Sequence, residues 1–196
     1  VYQIYMKKKI IITGGLGYIG TELCKLYSGV SWHHNITVID NRFISERVNQ
    51  LRNWNMEFVQ GDILDKDLVK KYCSDADVVH HLAGVTEVPR TKTEASQEQD
   101  KKIKDTGVTG TQNILDAINK RCKIIFPSTH VVYEGINEVR TDIKEDEATK
   151  PILSYSSSKA VNEEQLKKSG KNYIILRLGS VYGYSTDSMR IDIMPN

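Results

Sequence analysis

Two residues in the segment YSSSK, Tyr155 and Lys159, are of types that can move a proton together. On a helix, the i, i+4 spacing puts both side chains on one face. Free tyrosine has a pKa of about 10, too high for a base at neutral pH, but a nearby ammonium group favours the phenolate and lowers that pKa. A tyrosine tuned in this way can remove a hydroxyl proton while hydride leaves the same carbon. Alone, the spacing is more typical of a solvated tyrosine over a lysine stem.

Two hydroxyl residues upstream favour the chemical interpretation. Ser128 and Thr129 lie in FPSTHVVYEG, at the carboxyl end of a predicted central strand. Open α/β sheets bind their ligands at that end of their strands. A hydroxyl group there can hold a substrate oxygen beside the tyrosine.

The segment GGLGYIG has the glycine spacing of a dinucleotide-binding turn, with Gly14, Gly17 and Gly20. A strand pattern precedes it, a helical pattern follows it, and the acidic Asp40 ends the next predicted strand, which is the context this motif requires. The glycines permit a tight turn, backbone approach to a pyrophosphate, and close packing of helix on strand. A carboxylate at Asp40 can accept hydrogen bonds from both ribose hydroxyls and would repel a 2′-phosphate, which favours NAD, although Arg42 leaves NADP open.

Short apolar strands alternate with amphipathic helices along most of the chain. Strands are predicted at 8–13, 36–40, 57–60, 77–83, 123–128 and 172–180. Helices are predicted at 18–28, 45–53, 65–73 and 154–169, with Asp65 as an N-cap. The polar segment 94–120 has an apolar stripe, but Gly107 and Gly110 weaken a helix prediction there. The alternation predicts an α/β fold, a doubly wound, mostly parallel Rossmann sheet with helices on both faces.

Composition excludes several classes of protein. The chain has 196 residues, a mass of 22.3 kDa and a net charge of +2, without a focused basic stripe for nucleic acid. No apolar run is long enough to cross a bilayer, and we expect a cytoplasmic protein. The three cysteines are too widely spaced for a zinc site, and adjacent histidines such as His80 and His81 face opposite ways on a strand, so no metal site is predicted.

With these motifs in order, the chain resembles an extended short-chain dehydrogenase/reductase of the nucleotide-sugar epimerase and dehydratase family. The landmarks run from Lys8 to Gly183: TGGLGYIG, VIDN, GDI, HLAG, VPR, GTQNIL, PSTHVVYEG, YSSSK and RLGSVYG. The resemblance implies an NAD-binding Rossmann domain with catalytic residues over 8–183. Residues 184–196 would begin a substrate-binding lobe that is otherwise largely absent.

The same resemblance implies roles for individual residues. The expected catalytic residues are Thr129, Tyr155 and Lys159. The expected contacts to NAD are Gly14, Gly17, Tyr18, Ile19, Gly20, Asp40, Asn41, Arg42, Asp62, Ile63, Leu82, Ala83, Gly84, Ser128, Tyr155 and Lys159. The expected contacts to substrate are Thr86, Thr129, His130 and Ser180.

Departures from the family pattern narrow the reaction. Sugar 4,6-dehydratases typically carry an Asp-Glu pair after the threonine, whereas this chain has His130 and Val131. Gly107 stands where relatives usually have an asparagine that organises the long helix, and Ser180 replaces another asparagine. We therefore expect an NAD-dependent, UDP-glucose 4-epimerase-like oxidoreductase that acts on a nucleotide sugar. The alternatives are a nucleotide-sugar reductase, dehydrogenase or 4,6-dehydratase, and a non-catalytic NAD-binding regulatory module. The resemblance also favours a homodimer through the helices at 94–120 and 154–169.

Overall fold

A computed structural model describes residues 7–85 and 96–183. These residues form one six-stranded sheet in which every pairing is parallel, in the order β3-β2-β1-β4-β5-β6. The strands are β1 Lys9–Thr13, β2 Asn35–Asp40, β3 Glu57–Gln60, β4 Val78–His81, β5 Lys123–Thr129 and β6 Asn172–Leu178. The predicted doubly wound α/β fold is confirmed. The extent of the domain and the role of 184–196 stay predictions, and the latter segment lies outside the described residues.

Six α-helices connect or flank the strands in the described part of the chain. They are α1 Tyr18–Ser28, α2 Ser45–Asn53, α3 Lys66–Cys73, α4 Gln97–Lys104, α5 Gly110–Ala117 and α6 Ser154–Lys168. Asp65 caps α3, as predicted: its side chain accepts hydrogen bonds from the backbone amides of Asp67 and Leu68, both at 3.0 Å.

Alternating side chains of the sheet build two cores, one on each face. Ile10 and Ile12 of β1 pack on one face with residues of α1 and α2, while Ile11 packs on the other with residues of α3, α5 and α6. All three side chains are buried. Burial on both faces explains why the strands read as continuous apolar runs and not as alternating ones.

The predicted segment 94–120 is divided in the structure. Helices α4 and α5 are separated by a π-helical turn, Asp105–Thr109, and residues 94 and 95 lie outside the described residues. Gly107 is inside this turn, where its carbonyl accepts a hydrogen bond from Asn162 Nδ2 at 3.0 Å. A Cβ at Gly107 would lie 2.3 Å from Ser158 Oγ, so the glycine allows α6 to approach closely. At Gly107, where relatives usually have an asparagine, the π-helical turn is therefore held against α6 by Asn162 of that helix.

Strand β6 is the edge of the sheet that follows the predicted catalytic strand β5. It pairs with β5 along its whole length. Its apolar side chains Tyr173, Ile174 and Leu176 are 37–43% exposed, whereas Phe126 on β5 is 1% exposed. Among the described residues, the side chains of β6 are therefore less buried than Phe126 of β5.

The three cysteines lie in the interior of the fold. Cys24, Cys73 and Cys122 are buried thiols, and burial raises the pKa of each. In residues 7–85 and 96–183, none of the helices has both the length and the apolar character needed to cross a bilayer.

Candidate active site

The carboxyl ends of β1, β2, β4 and β5 bring together most of the residues predicted to be functional. Strands β1 and β4 are neighbours although β2 and β3 lie between them in sequence, so the connection after β1 leads to one side of the sheet and the connection after β4 to the other. This is the switch point at which doubly wound sheets form a ligand crevice. The glycine turn follows β1, and the segment Leu82–Gly84 follows β4.

The glycine turn has the shape that its sequence predicts. Gly14 has φ +69°, and a Cβ there would lie 2.7 Å from the backbone nitrogen of Ala83. A Cβ at Gly20 would lie 2.4 Å from the Gly14 carbonyl oxygen. Gly14 thus allows the turn and its contact with the β4 loop, while Gly20 allows α1 to pack on the turn.

The amino end of α1 fits a pyrophosphate. Gly17 is its N-cap, and among the described residues no side chain caps this end and no acidic residue lies in the first turn. Within 4 Å of a Cβ built at Gly17, only the Gly14 carbonyl oxygen and Arg42 Nη2 are found, so the turn is otherwise open there. Backbone amides and the helix dipole can therefore meet negative charge. Tyr18 donates a hydrogen bond to the Gly183 carbonyl, and Ile19 is 37% exposed.

Asp40, at the end of β2, is buried and already has partners. Its Oδ2 accepts a hydrogen bond from the Leu16 amide at 3.0 Å, which fixes the glycine turn. Its Oδ1 accepts from the backbone amide of Arg42 at 3.0 Å and from Arg42 Nε at 3.2 Å. The Arg42 side chain is 53% exposed. The guanidinium half of this ion pair is therefore exposed and the carboxylate half is buried, so ribose hydroxyls could reach Asp40 only if Arg42 moved aside.

Asn41, Asp62 and Ile63 meet beyond the ends of β2 and β3. Asn41 Nδ2 donates to Asp62 Oδ2 at 3.1 Å, and Asp62 Oδ1 accepts from the Leu64 amide at 2.9 Å. Ile63 is buried against Gly110 on α5. Asn113 donates to the Ile63 carbonyl at 3.0 Å and holds this turn in place. Sequence reasoning missed Asn113, although it lies within the landmark GTQNIL.

His81 links three elements below the β4 loop. Its Nδ1 lies 2.8 Å from Thr13 Oγ1 and its Nε2 lies 3.0 Å from Thr111 Oγ1. Thr13 Oγ1 also accepts a hydrogen bond from the Ala83 amide at 3.2 Å. Burial, and secondarily the charge of Lys159, lower the pKa of His81 to about 3. Sequence reasoning excluded a metal here but did not assign this structural role.

The neighbouring His80 confirms that the two histidines face opposite ways. His80 Nε2 lies 2.8 Å from the Tyr27 hydroxyl, on the α1 side of the sheet. Over residues 7–85 and 96–183, no cluster of three or more histidine, cysteine or acidic residues could hold a metal ion.

Tyr155 and Lys159 line one pocket together with Leu82, Ala83 and Gly84. Both are on α6, and the Lys159 ammonium lies 5.8 Å from the centre of the Tyr155 ring. Lys159 Nζ donates to the Pro127 carbonyl at 2.9 Å. Burial lowers the pKa of Lys159 to about 8, and the Glu163 carboxylate opposes that shift. At neutral pH the lysine is therefore mainly charged.

Ser128 is not among the residues that line this pocket. Its hydroxyl donates to Glu163 Oε1 at 2.6 Å, one helical turn beyond Lys159. Glu163 is buried and also forms an ion pair with Arg177 of β6, with Nη2 to Oε2 at 2.6 Å. Burial raises the pKa of Glu163, but hydrogen bonds from Arg177 and Ser128 outweigh it and hold the pKa below its usual value. The predicted contact of Ser128 with a cofactor stays a prediction, and the observed contact is with α6.

The predicted substrate residues are less closely grouped. Thr129 is 9% exposed, and its Oγ1 accepts a hydrogen bond from the Val131 amide at 3.3 Å. His130 Nδ1 donates to the Leu178 carbonyl at 3.2 Å, and its side chain is exposed. Ser180 is exposed beyond β6, and Thr86 lies outside the described residues.

Comparison with known proteins gives a consistent result. A model of the NAD dependent epimerase/dehydratase family matches residues 10–194. A putative UDP-glucose 4-epimerase of Methanocaldococcus jannaschii is 35% identical over 187 residues, which cover 91% of this chain and 57% of the relative. A dTDP-D-glucose 4,6-dehydratase of Dictyostelium discoideum is 29% identical, covering 90% of this chain and 44% of the relative.

Solved structures give the same family likeness. The Bordetella bronchiseptica enzyme WbmH, solved in complex with NAD+, has a TM-score of 0.74 at 27% identity, covering 90% of this chain and 57% of that one. The UDP-glucuronic acid 4-epimerase of Bacillus cereus, in complex with NAD, has a TM-score of 0.72 at 28% identity, covering 89% and 57%. This chain spans about half the length of the curated relatives it matches. The family match covers nearly the whole sequence, and the chain belongs to the NAD dependent epimerase/dehydratase family.

Proposed function

We propose that this chain is the cofactor-binding and catalytic part of an NAD-dependent, UDP-glucose 4-epimerase-like enzyme that oxidises a nucleotide sugar at C4. The observation that carries the proposal is the common pocket of Tyr155, Lys159 and the Leu82–Gly84 segment. That segment also touches the glycine turn, since a Cβ at Gly14 would contact Ala83. The Leu82–Gly84 segment therefore lies next to both the glycine turn and the Tyr155–Lys159 pair.

NAD is the proposed cofactor, and the chain's own residues fit it. The open amino end of α1 would hold the pyrophosphate, and Asp40 would hold the ribose once Arg42 moves aside. Lys159 would bind the nicotinamide ribose and Asp62 and Ile63 would contact the adenine. NAD+, when bound there, supplies a hydride acceptor.

The proposed proton transfer belongs to Tyr155. As the sugar C4–H bond gives up its hydride, the phenolate of Tyr155 takes the hydroxyl proton, and the C4–O bond becomes a carbonyl. Thr129 would hold the same oxygen by a hydrogen bond. In an epimerase the keto sugar turns, the hydride returns to its other face, and Tyr155 returns the proton, so no net redox change occurs.

The residues after Thr129 favour an epimerase over a dehydratase. Elimination of water needs a further acid and base beside the tyrosine. His130 is exposed and bonded to the backbone of β6, and Val131 has no ionisable group. A nucleotide-sugar reductase or dehydrogenase is the second candidate, because its proton and hydride transfers need the same residues. A continuous change in NADH absorbance during turnover would identify it, since an epimerase gives none.

A homodimer in the cytoplasm is part of the proposal. Helices α4 and α6 pack side by side, and Val161 on α6 is 45% exposed, as a residue at a subunit interface would be in the isolated chain. The cytoplasmic location stays a prediction from the sequence.

Replacement of the tyrosine tests the proposed chemistry. Tyr155→Phe removes only the phenol oxygen, so we expect turnover of UDP-glucose or a related nucleotide sugar to fall by about 10²- to 10⁴-fold. NAD affinity, measured by calorimetry, should stay nearly the same. The control is Tyr173→Phe, which removes the same atom from the β6 edge and should leave turnover unchanged.

Two results would contradict the proposal in different ways. Full turnover by the Tyr155→Phe variant of the full-length gene product would remove the tyrosine from the mechanism. NAD binding without turnover of any nucleotide sugar by the unaltered full-length protein would instead support a non-catalytic, regulatory NAD-binding module.

A further inference from the structure

Glu134 connects two parts of the candidate active site that are far apart in sequence. It follows a short 3-10 helix, His130–Tyr133, that begins directly after Thr129. Its Oε1 accepts hydrogen bonds from the backbone amides of Ile152 at 2.6 Å and Leu153 at 2.7 Å. The same oxygen is hydrogen-bonded to the Ser156 hydroxyl. One carboxylate oxygen thus holds three donors at the start of α6.

Two of these donors, the amides of Ile152 and Leu153, directly precede the first turn of α6. The first amides of an α-helix have no partner within the helix, and a side chain at the N-cap usually supplies one. The N-cap of α6 is Leu153, whose side chain has no acceptor atom. Glu134 instead comes from the β5 side and accepts from the amides of Ile152 and Leu153, just before the first turn, and the Leu153 amide also donates to Ser156 Oγ at 3.2 Å. Its negative charge also interacts favourably with the helix dipole.

Tyr155 lies inside the turn that Glu134 holds. It is the second residue of α6, between Leu153 and Ser156, both of which contact the carboxylate. On the other side, Glu134 is five residues from Thr129, through a helical turn whose first residues are fixed by the Thr129 hydroxyl. The carboxylate therefore sets the position of the tyrosine's helical turn relative to the threonine's segment.

The backbone keeps this junction folded independently of the carboxylate. The Gly135 amide donates to the Lys150 carbonyl at 2.8 Å, and the Lys150 amide donates to the Val132 carbonyl at 2.8 Å. The last turns of α6 are held separately, by the buried pair of Glu163 and Arg177. Loss of Glu134 should therefore loosen the first turn of α6 without unfolding the helix.

We propose that Glu134 is a positioning residue that fixes the first turn of α6, and with it the Tyr155 phenol, against the Thr129 segment. The inference rests on the proposed function only in assuming that Tyr155 transfers a proton. The carboxylate is ionised at neutral pH: burial raises the pKa of Glu134, but hydrogen bonds from Ser156, Leu153 and Ile152 outweigh that and lower it.

Three variants and one matched control test the role. Glu134→Ala removes the acceptor, and we expect kcat to fall by about 10- to 100-fold, because small displacements of a catalytic group have effects of that size. The KM for the sugar and the Kd for NAD should change by less than about threefold. Glu134→Gln keeps an acceptor oxygen and should recover most of kcat, while Glu134→Asp, with a shorter reach, should recover less. Glu138→Gln, an exposed glutamate in the same connection, should behave as the unaltered protein.

A spectroscopic measurement follows Tyr155 without requiring turnover. In protein with ¹³Cζ-labelled tyrosine and bound NAD, the Tyr155 resonance is assigned by its absence in Tyr155→Phe. We expect that resonance to move or broaden in Glu134→Ala, to be largely restored in Glu134→Gln, and to be unchanged in Glu138→Gln. This pattern would support the positioning role even if no nucleotide sugar were turned over, in which case only the proposed function would fail.

Two outcomes would overturn the inference. A Tyr155 resonance and a kcat that are unaltered in Glu134→Ala would show that the carboxylate does not position the phenol. Equal loss of NAD binding and of thermal stability in Glu134→Ala and Glu134→Gln would assign the residue a general structural role instead.

Discussion

The imidazole of His81 is held neutral between two threonine hydroxyls, and this has a consequence for acid stability. The folded-state pKa of about 3 lies well below the value of about 6.5 for an unfolded chain. Between these values the unfolded chain binds the extra proton and the folded protein does not. The folded state therefore loses stability as the pH falls from about 6.5 toward 3.

We expect His81 alone to reduce the free energy of unfolding by up to about 1.4 kcal/mol for each pH unit between pH 6 and pH 4. Urea denaturation at several pH values measures this slope. His81→Gln cannot titrate and should show a shallower dependence between pH 6 and pH 4, whereas the variant His33→Gln, at an exposed histidine, should retain the original slope over that range. An identical slope in His81→Gln would exclude His81 as the source.

The sequence predicted the orientation of some side chains but not the partners of others. The opposite orientations of His80 and His81 follow from strand geometry alone, and the structure confirms them. The partner of Ser128 could not be predicted, because the hydroxyl can serve a ligand or a buried carboxylate equally well. Glu163 had a weak signal, since it continues the i, i+4 series of Tyr155 and Lys159 on α6.

At the scale of one element, α1 depends on a glycine inside it far more than on the glycine that ends it. A Cβ at Gly20 would meet backbone atoms at 2.4 and 2.6 Å, whereas the described residues place no contacting atom within 4 Å of a Cβ at Gly29. Backbone cannot move aside as a flexible side chain can, so the turn between β1 and α1 would have to shift.

We expect Gly20→Ala to lower the free energy of unfolding by about 1–3 kcal/mol and to weaken NAD binding in addition. Gly29→Ala, at a cap residue with ordinary helical dihedrals, should be neutral or stabilising by up to about 1 kcal/mol. Chemical denaturation and calorimetry with NAD measure both quantities. Equal stability and equal NAD affinity of the two variants would contradict this expectation.

Element boundaries were predictable where local chemistry decides them. The N-cap of α3 at Asp65 and the span of α2 follow from side-chain types and periodicity, and the structure agrees. The division of 94–120 was not predictable from local sequence, because the π-helical turn packs Gly107 against Ser158 of α6, which is distant in the chain. Likewise the carboxylate that accepts from the Leu153 amide belongs to Glu134, 19 residues earlier in the chain, so the local sequence of α6 does not indicate it.

At the scale of the whole molecule, the alternation of strands and helices predicted the parallel sheet but not the buried ion pair that joins β6 to α6. Alternating strands and helices permit few arrangements once connections are right-handed, and the observed order is one of them. Arg177 of β6 and Glu163 of α6 form an ion pair. Arginine and glutamate are common in any sequence, so their types alone do not indicate that these two residues pair. Such buried pairs are recognisable only once the fold has brought them together.

Ligand-induced stabilisation of the whole fold tests which dinucleotide it takes. NAD at about 100 times its dissociation constant should raise the free energy of unfolding by about 2.7 kcal/mol. NADP at the same concentration should stabilise less, since its 2′-phosphate would approach the Asp40 carboxylate. Thermal denaturation with each dinucleotide gives the comparison.

The opposite result is expected if Arg42 binds the 2′-phosphate of NADP. If Arg42 left Asp40 to bind the 2′-phosphate, NADP would stabilise at least as well as NAD, and Arg42→Ala would remove that effect. Equal stabilisation by NADP in the unaltered protein would therefore contradict the preference for NAD.

The bond from the Leu16 amide to Asp40 affects how affinity measurements on this carboxylate are interpreted. An alanine at position 40 would remove a ribose acceptor and also release the loop that shapes the phosphate cradle. The resulting drop in affinity would combine both effects and overstate the energetic worth of the sugar contact. An asparagine, which keeps one oxygen for the loop, gives the cleaner measure of how much the ribose itself contributes.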